Sequence, residues 1–378
     1  MASPSVTYLP LHGGHTPRWL WVRMERLAAP LLDILVDEHG PGGLVERLAD
    51  PFWFQALACI LAYDWHSSGT TTVLTGVLRN TLKPEEHGVA LAGGKGPRSR
   101  NTPDELRERA EEWDLDPEPL VRASRLSAKV DSALVQDGYS LYHHAFFVAR
   151  EEGGSRWAVV QQGMNSRAKM ARRYQWLSGV ESFAETPREA ITGDSSHPQV
   201  LDMTARASEE ARRVSLDLVR GSVAELQRGL GLLLRKGGQA GLERWTGEGV
   251  ARPGTEEPWT LPRQLNWGAL RRAYDLQPRN YDEFIATPEI GPATVRALAL
   301  VSEFLHGARP SWRDPVRFSF AFGGKDGVPH PVERERMDEA TQVLKEAVER
   351  AKLGDRERLG LLKRLREFAP PVRVSRAF

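Results

Sequence analysis

Two adjacent histidines, His143 and His144, stand in the run DGYSLYHHAFFVAR, just ahead of an apolar, aromatic stretch. Imidazole can serve as a general base, a proton donor or a metal ligand near neutral pH. A second run, RWAVVQQGMN, sets Gln161 and Gln162 side by side. The two runs flank EEGGS and read as a β-hairpin, two β-rich segments joined by a glycine-containing loop. Neighbouring residues on a regular strand face opposite ways, so the two histidines enter different sites. A loop centred on Gly153-Gly154 sets His143 beside Gln162, on the face of Ala145 and Phe147. It sets His144 beside Gln161, on the face of Phe146, and a one-residue slip would swap the pairs. Each candidate catalytic site therefore holds one His and one Gln. A hard cation also needs carboxylates, and imidazole suits Mn, Zn or Fe better than Mg. Asp131 and Asp137 lie just upstream, Asp64 precedes His66, and Asp194 and Asp202 follow the hairpin. Asp131, Asp137, Asp64 and His66 are the candidate ligands for a divalent metal, Mg or Mn. Taken singly, each histidine is more often a hydrogen-bonded structural residue than a catalyst.

The segment DWHSSGTTT adds Ser67 and Ser68 to Asp64 and His66. A serine nucleophile needs a geometry that so tight a cluster rarely provides, and helix termination is the simpler account. GGKGPRSR reads as an exposed basic loop, with Lys95, Arg98 and Arg100 available to a phosphate backbone. It lacks the spacing of a nucleotide-binding P-loop. NSRAKMARRYQWL interleaves Arg172 and Arg173 with Tyr174 and Trp176. That mixture suits single-stranded nucleic acid, by phosphate pairing and base stacking; the aromatics suit a core equally well.

The segment YDEFIATPEIGPATVRALALVSEF reads as helix, tight turn, helix, and it resembles the helix-hairpin-helix DNA-binding motif. Glu289-Ile290-Gly291 stands where the motif carries glycine, an apolar residue and glycine, so one glycine is missing. Ile290, Gly291, Thr294 and Arg296 are the candidate DNA contacts. Amides opening the second helix suit a phosphate oxygen, and such contacts bind backbone without reading sequence. Glu289 counts against the reading, because a carboxylate repels phosphate. An ordinary packing corner is the alternative.

These residues need elements to hold them. A 378-residue chain suggests two or three domains. The expected fold is α+β: a mainly helical N-terminal domain with a β-hairpin or small sheet, then an all-α helix-hairpin-helix region. Helices are expected up to Gly40, from Pro41, and over the apolar PFWFQALACILAYDWH. The expected divisions are a candidate catalytic domain over 1–203, a long helix over 204–236, a linker over 237–263, the helix-hairpin-helix region over 264–330 and a charged helical tail over 331–378. Net charge is +1, with nine Lys against 42 Arg, so bulk charge announces no nucleic-acid partner. The single cysteine, Cys59, excludes an internal disulfide and a cysteine-based zinc cluster. No apolar run is long enough to span a bilayer, and no secretory leader opens the sequence. A cytoplasmic protein without a membrane partner is expected. Self-association through the charged tail is one option; a solvated helix is more common.

LPLHGGHTPRWLWVRM, DPFWFQALACILAYDWHSSGTTT, GGKG, LYHHAFF, QQGMN, ARRYQWL and SFAFGGKDGVPHPV, in this order, resemble the prokaryotic domain-of-unknown-function family 763. The resemblance implies a large N-terminal domain followed by a helix-hairpin-helix region, a pairing that suggests DNA repair or processing. The leading expectation is a metal-dependent nuclease acting on single-stranded or branched DNA. In it His143 or His144 is base or ligand and the aspartates hold the ion. The alternative is a DNA-structure-binding protein without catalysis. A hydrolase built on Ser67 or Ser68 is a weaker third.

Overall fold

The computed structural model describes residues 16–61, 68–185, 190–192, 196–236, 261–262, 264–316 and 334–368. Asp64, His66, Ser67 and Asp194 lie outside them, as do most of the expected linker and the segment SFAFGGKDGVPHPV. The fold is α+β. Helix α1 (Arg18–Ala49) breaks at Gly40, whose φ of 71° lies in the left-handed region, and resumes at Pro41. Only glycine takes that conformation cheaply, which is why the break was visible in the sequence. Asp50 then caps α2 (Pro51–Ile60), accepting from the amides of Phe52 and Trp53 at 2.8 and 2.9 Å. Every residue of α2 is buried, as its apolar circumference requires. Helices α3 (Gly69–Thr81) and α4 (Pro84–His87) follow.

The sheet is larger than a hairpin. Strands β1 (Val89–Lys95), β3 (Ser140–Glu151), β4 (Gly154–Asn165), β5 (Met170–Leu177) and β6 (Ala190–Thr192) form an antiparallel sheet in that spatial order. A two-stranded sheet pairs β2 (Val135–Gln136) with β7 (Leu201–Asp202). Two segments expected otherwise are strands. The glycine-rich VALAGGK is the edge strand β1, followed by a 3-10 turn over Gly96–Asn101. The basic MARRYQWL is β5, buried from Ala171 to Trp176.

Helices α5 (Thr102–Glu112) and α6 (Pro117–Lys129) lie between β1 and β2. The helical stretch expected over 204–236 is two helices, α7 (Glu209–Gly221) and α8 (Val223–Lys236), separated at Ser222, whose backbone is extended. Then come α9 (Trp267–Leu276), α10 (Tyr281–Ala286), α11 (Pro292–His306), α12 (Arg334–Arg350) and α13 (Asp355–Phe368).

Helices cover both sheet faces. Ala145, Phe147, Ala158 and Val160 pack with α1, α2 and α3, joined by Leu344 and Val348 of α12 and Leu361 of α13. Phe146, Val148, Val159 and Trp176 pack with α5, α6 and α7, in a cluster that continues to Leu270, Phe284, Ile290 and Leu298 of the α9–α11 region. With both faces buried, β3 and β4 lose the apolar–polar alternation of a half-exposed strand. The rows that hold His143 and His144 bring polar side chains into this interior.

Candidate functional site

The hairpin register places His143 opposite Gln162 and His144 opposite Gln161, as the centred loop requires. An irregularity between Leu141 and His143 leaves Tyr142 out of the pairing. Two cross-strand rows result. One runs Lys95, His143, Gln162, Arg173, Thr192; the other runs Gly94, His144, Gln161, Tyr174, Ile191. The first row faces α2 and α3, and the second faces the opposite helical layer.

On the His144 face the polar groups form a directed chain. Gln161 Nε2 donates to Asp131 Oδ2 at 2.7 Å. A carboxylate oxygen only accepts, so the amide oxygen Oε1 must point to His144 Nδ1, 2.9 Å away. His144 therefore carries its proton on Nδ1, and its Nε2 accepts from the Ser124 hydroxyl at 2.9 Å. Trp176 Nε1 also donates to Asp131 Oδ2, at 2.7 Å. Both ring nitrogens of His144 are thus used. Burial pulls its pKa down to about 4, against the opposing Gln161 bond, and keeps it neutral.

Asp137 occupies the same face. Its Oδ2 accepts from Arg172 Nη1 at 3.0 Å and from the Tyr174 hydroxyl at 2.7 Å, and its Oδ1 accepts from the Tyr139 amide. Arg172 also donates to both oxygens of Asp314, at 2.9 and 2.5 Å, and lies over the Tyr139 ring. Burial opposes its charge, but Asp137 and Asp314 outweigh burial and raise its pKa. The aspartates thus meet the His144–Gln161 face, where they close internal bonds.

The His143 face is arranged differently. Thr71, Thr75 and Arg79 are spaced i, i+4, i+8, so they line one side of α3. Thr71 Oγ1 accepts from Arg173 Nε at 3.1 Å, Thr75 meets His143, and Arg79 donates to the Gly93 carbonyl. One helix side therefore lies across β5, β3 and β1. Arg173 also donates to Gln55 Oε1 at 2.8 Å and sits over the Phe54 ring. Gln162 Nε2 donates to the Ser68 carbonyl at 2.7 Å and to the Tyr142 hydroxyl at 2.5 Å.

His143 takes the opposite tautomer from its neighbour. Thr75 Oγ1 has one hydrogen and lies 2.8 Å from the Thr71 carbonyl, which only accepts. Giving the threonine hydrogen to that nearer acceptor assigns the donor role across 3.1 Å to His143 Nε2. Its Nδ1 is then a bare acceptor, fully buried and without a partner. Burial, with the charges of His144, Lys95 and Arg79 acting the same way, lowers its pKa to about 3. Gln175 Oε1 and Thr192 Oγ1, on this same face, are also buried and unpartnered. Buried polar atoms left unpaired cost about 1–3 kcal/mol each, so this face is built with unmet demand.

Several expected roles change. Arg172 and Arg173 are fully buried and held by internal partners, so they do not reach a nucleic-acid backbone. Adjacent residues on β5 send them to opposite faces, away from solvent. Asp131 and Asp137 are committed to Gln161, Trp176, Arg172 and Tyr174. Among the described residues, no three His, Cys, Asp or Glu side chains are grouped to hold a metal ion. Lys95, Arg98 and Arg100 are exposed at the sheet edge, as expected. The α3 stripe was missed, although its i, i+4, i+8 spacing was available in GTTTVLTGVLRNT.

At the other candidate contact, residues 287–291 join α10 to α11. Ile290 is buried, and Gly291 caps α11 with extended backbone and no side-chain cap. Glu289 has φ 64°, the conformation for which glycine is usual. Its carboxylate takes hydrogen bonds from Asn266 and Arg272, at 2.8 and 2.5 Å. Lys129 Nζ donates to the Thr287 carbonyl at 2.9 Å. Gln136 clamps the helix start, donating to the Pro292 carbonyl and accepting from Arg296 Nε at 2.7 Å. Thr294 is buried.

A sheet with polar rows on both faces and a helical pair closed by an uncapped turn is the class of architecture defined so far. The family model described as "Protein of unknown function (DUF763)" matches residues 5–332, and the chain belongs to that family. No curated protein and no solved structure matches it significantly. No described helix is long and apolar enough to cross a membrane.

Proposed function

We propose that this protein binds DNA through its phosphate backbone, with the α10–α11 turn as a helix-hairpin-helix docking element. The observation that carries the reading is Glu289. It holds the left-handed conformation of the glycine it replaces, and its carboxylate is tied to Asn266 and Arg272 of the α9 region. A residue in that conformation can stand where the motif carries glycine. The α11 amides, capped by no side chain, suit a phosphate oxygen, and Lys129 and Arg296 add positive charge beside them. DNA binding should weaken steeply with salt. Ala293→Glu, which sets a carboxylate at the opening of α11, should cost about tenfold or more in affinity. Lys129→Ala should lower the salt slope by about one. Glu289→Gly should bind at least as tightly as the parent. Salt-independent binding, or an Ala293→Glu variant that binds normally, refutes this docking mode.

A second reading is a metal-dependent nuclease acting on single-stranded or branched DNA with Mg or Mn. Its support is His143, whose Nε2 is oriented by Thr75 while Nδ1 stays bare, the arrangement of a histidine ligand. Asp64 and His66, its candidate co-ligands, lie outside the described residues. The cations Lys95 and Arg79 oppose a second positive charge there. Cleavage of forked or single-stranded DNA that needs Mn²⁺ or Mg²⁺ and stops with EDTA favours this reading. Binding without cleavage under any metal leaves the first alone.

A further inference from the structure

The unmet acceptor at His143 and the exposed cations beside it ask for one kind of ligand. The tautomer argument leaves Nδ1 able only to accept, so its partner must donate a hydrogen. Lys95 pairs in register with His143 on the edge strand, one strand spacing of about 4.8 Å away. Around it, Arg79 and Arg98 share one carboxylate, Glu105, at 3.2 and 3.5 Å. Among the described residues, neither Lys95 nor Arg100 has a carboxylate partner. The corner thus carries more positive charge than its acid neutralises. A ligand that satisfies both demands is an anion that still bears a proton. Phosphodiesters, sulfates and carboxylates have no such proton at neutral pH. A phosphomonoester monoanion does: its second ionisation falls near pH 6, so about a tenth of the ligand carries the proton at pH 7 and about half at pH 6.

We propose that the corner formed by His143, Lys95 and Arg79 binds a terminal phosphate, a phosphomonoester whose P–OH donates to His143 Nδ1 while its anionic oxygens meet Lys95 and Arg79. No bond is made or broken in this step; one proton is shared between phosphate oxygen and imidazole nitrogen. The inference does not rest on backbone docking at the α10–α11 turn, which concerns diesters at a different place. Two sources share the chemistry, the phosphorylated end of a strand and a free nucleotide.

The test uses the full chain labelled with ¹⁵N at histidine. The free protein should show a His143 Nδ1 that is unprotonated and not hydrogen-bonded. Adenosine 5′-monophosphate should shift that resonance upfield; adenosine and the cyclic diester of the same nucleotide should not. A 5′-phosphorylated oligonucleotide that shifts it, where its 5′-hydroxyl counterpart does not, assigns the site to strand ends. A response to the mononucleotide alone assigns it to free nucleotides. Lys95→Ala, an exposed change, should weaken the monophosphate about tenfold, and His143→Gln should do so comparably while keeping the bond to Thr75. The proposal is overturned by no shift with millimolar monophosphate, by equal shifts with adenosine or the diester, or by a shift with Mn²⁺ alone. A Nδ1 already hydrogen-bonded to water in the free protein overturns it too. An oligonucleotide that binds with salt dependence while His143 stays silent leaves DNA binding intact and removes this site.

Discussion

The two faces of the sheet carry nearly the same residues and use them in opposite ways. Each has a histidine, a glutamine and an arginine, contributed by adjacent positions on three strands. On the His144 face Ser124, His144, Gln161 and Asp131 form a directed chain that uses both ring nitrogens, while Asp137 and Asp314 hold Arg172. On the His143 face the helix stripe of Thr71 and Thr75 supplies hydroxyls instead, and the histidine itself keeps one ring nitrogen, Nδ1, without a partner. Closed networks rigidify an interior, whereas partly met ones mark places where a ligand or water completes the set. Similar side chains therefore give scaffold on one face and receptivity on the other.

The largest expected effect ignores the difference and so tests its basis. Both histidines are held neutral, with pKa values of about 3 and about 4 against about 6.5 in the unfolded chain. A depressed histidine pKa means that the unfolded state binds the proton first as pH falls. Stability is full above pH 6.5 and is lost as pH falls, down to about 4 for His144 and about 3 for His143, by up to roughly 1.4 kcal/mol per pH unit for each histidine. Urea unfolding across that window should show the loss, and either single His→Gln variant should remove about half of it. A flat profile in the parent would mean that the histidines are not buried as described.

The next effect separates the faces. Arg172→Met leaves Asp137 and Asp314 buried without their shared cation, and should cost about 3–5 kcal/mol. His144→Gln strands Gln161 Oε1 and should cost about 1–3 kcal/mol. His143→Gln keeps a donor for Thr75 and removes only a bare acceptor, so its cost should stay under about 1 kcal/mol. Chemical denaturation of the two adjacent variants is a direct comparison, and equal costs would dissolve the distinction between the faces.

Part of this was legible before any coordinates. The Gly153 loop fixed the hairpin register, and with it the separation of His143 from His144. Gly40 announced the break in α1. What misled was charge. Arg172 and Arg173 looked like a phosphate-binding pair, but MARRYQWL also has period two, with Arg172, Tyr174 and Trp176 on one side and Arg173 and Gln175 on the other. A strand buried on both faces can hide an arginine if a distant acid or amide meets it, and Asp314 and Gln55 are 142 and 118 residues away. No local window shows such partners. The glycines of GGKGPRSR suggest a loop, but Gly93, Gly94 and Lys95 close the strand VALAGGK, whose partner β3 lies about fifty residues on. The closeness of Gly93 to that strand is a reason for the glycine: a Cβ there would lie 2.3 Å from the His144 carbonyl.

The smallest expected effect sharpens the comparison most. Lys95 is exposed at the sheet edge, so Lys95→Ala should leave the unfolding midpoint in urea unchanged. Its charge still acts on His143, where it lowers the pKa alongside burial, His144 and Arg79, while His144 shows no such influence. Removing the ammonium should therefore raise the His143 titration midpoint, by less than about one unit at an effective dielectric near 20, and leave His144 where it is. Imidazole ¹⁵N shifts followed through acid pH read both rings in one sample. Movement of His143 alone would show that the receptive face is electrically open to the sheet edge while the scaffold face is sealed from it. Equal movement of both would place the two rings in one electrostatic environment, and the asymmetry would then reduce to hydrogen bonding.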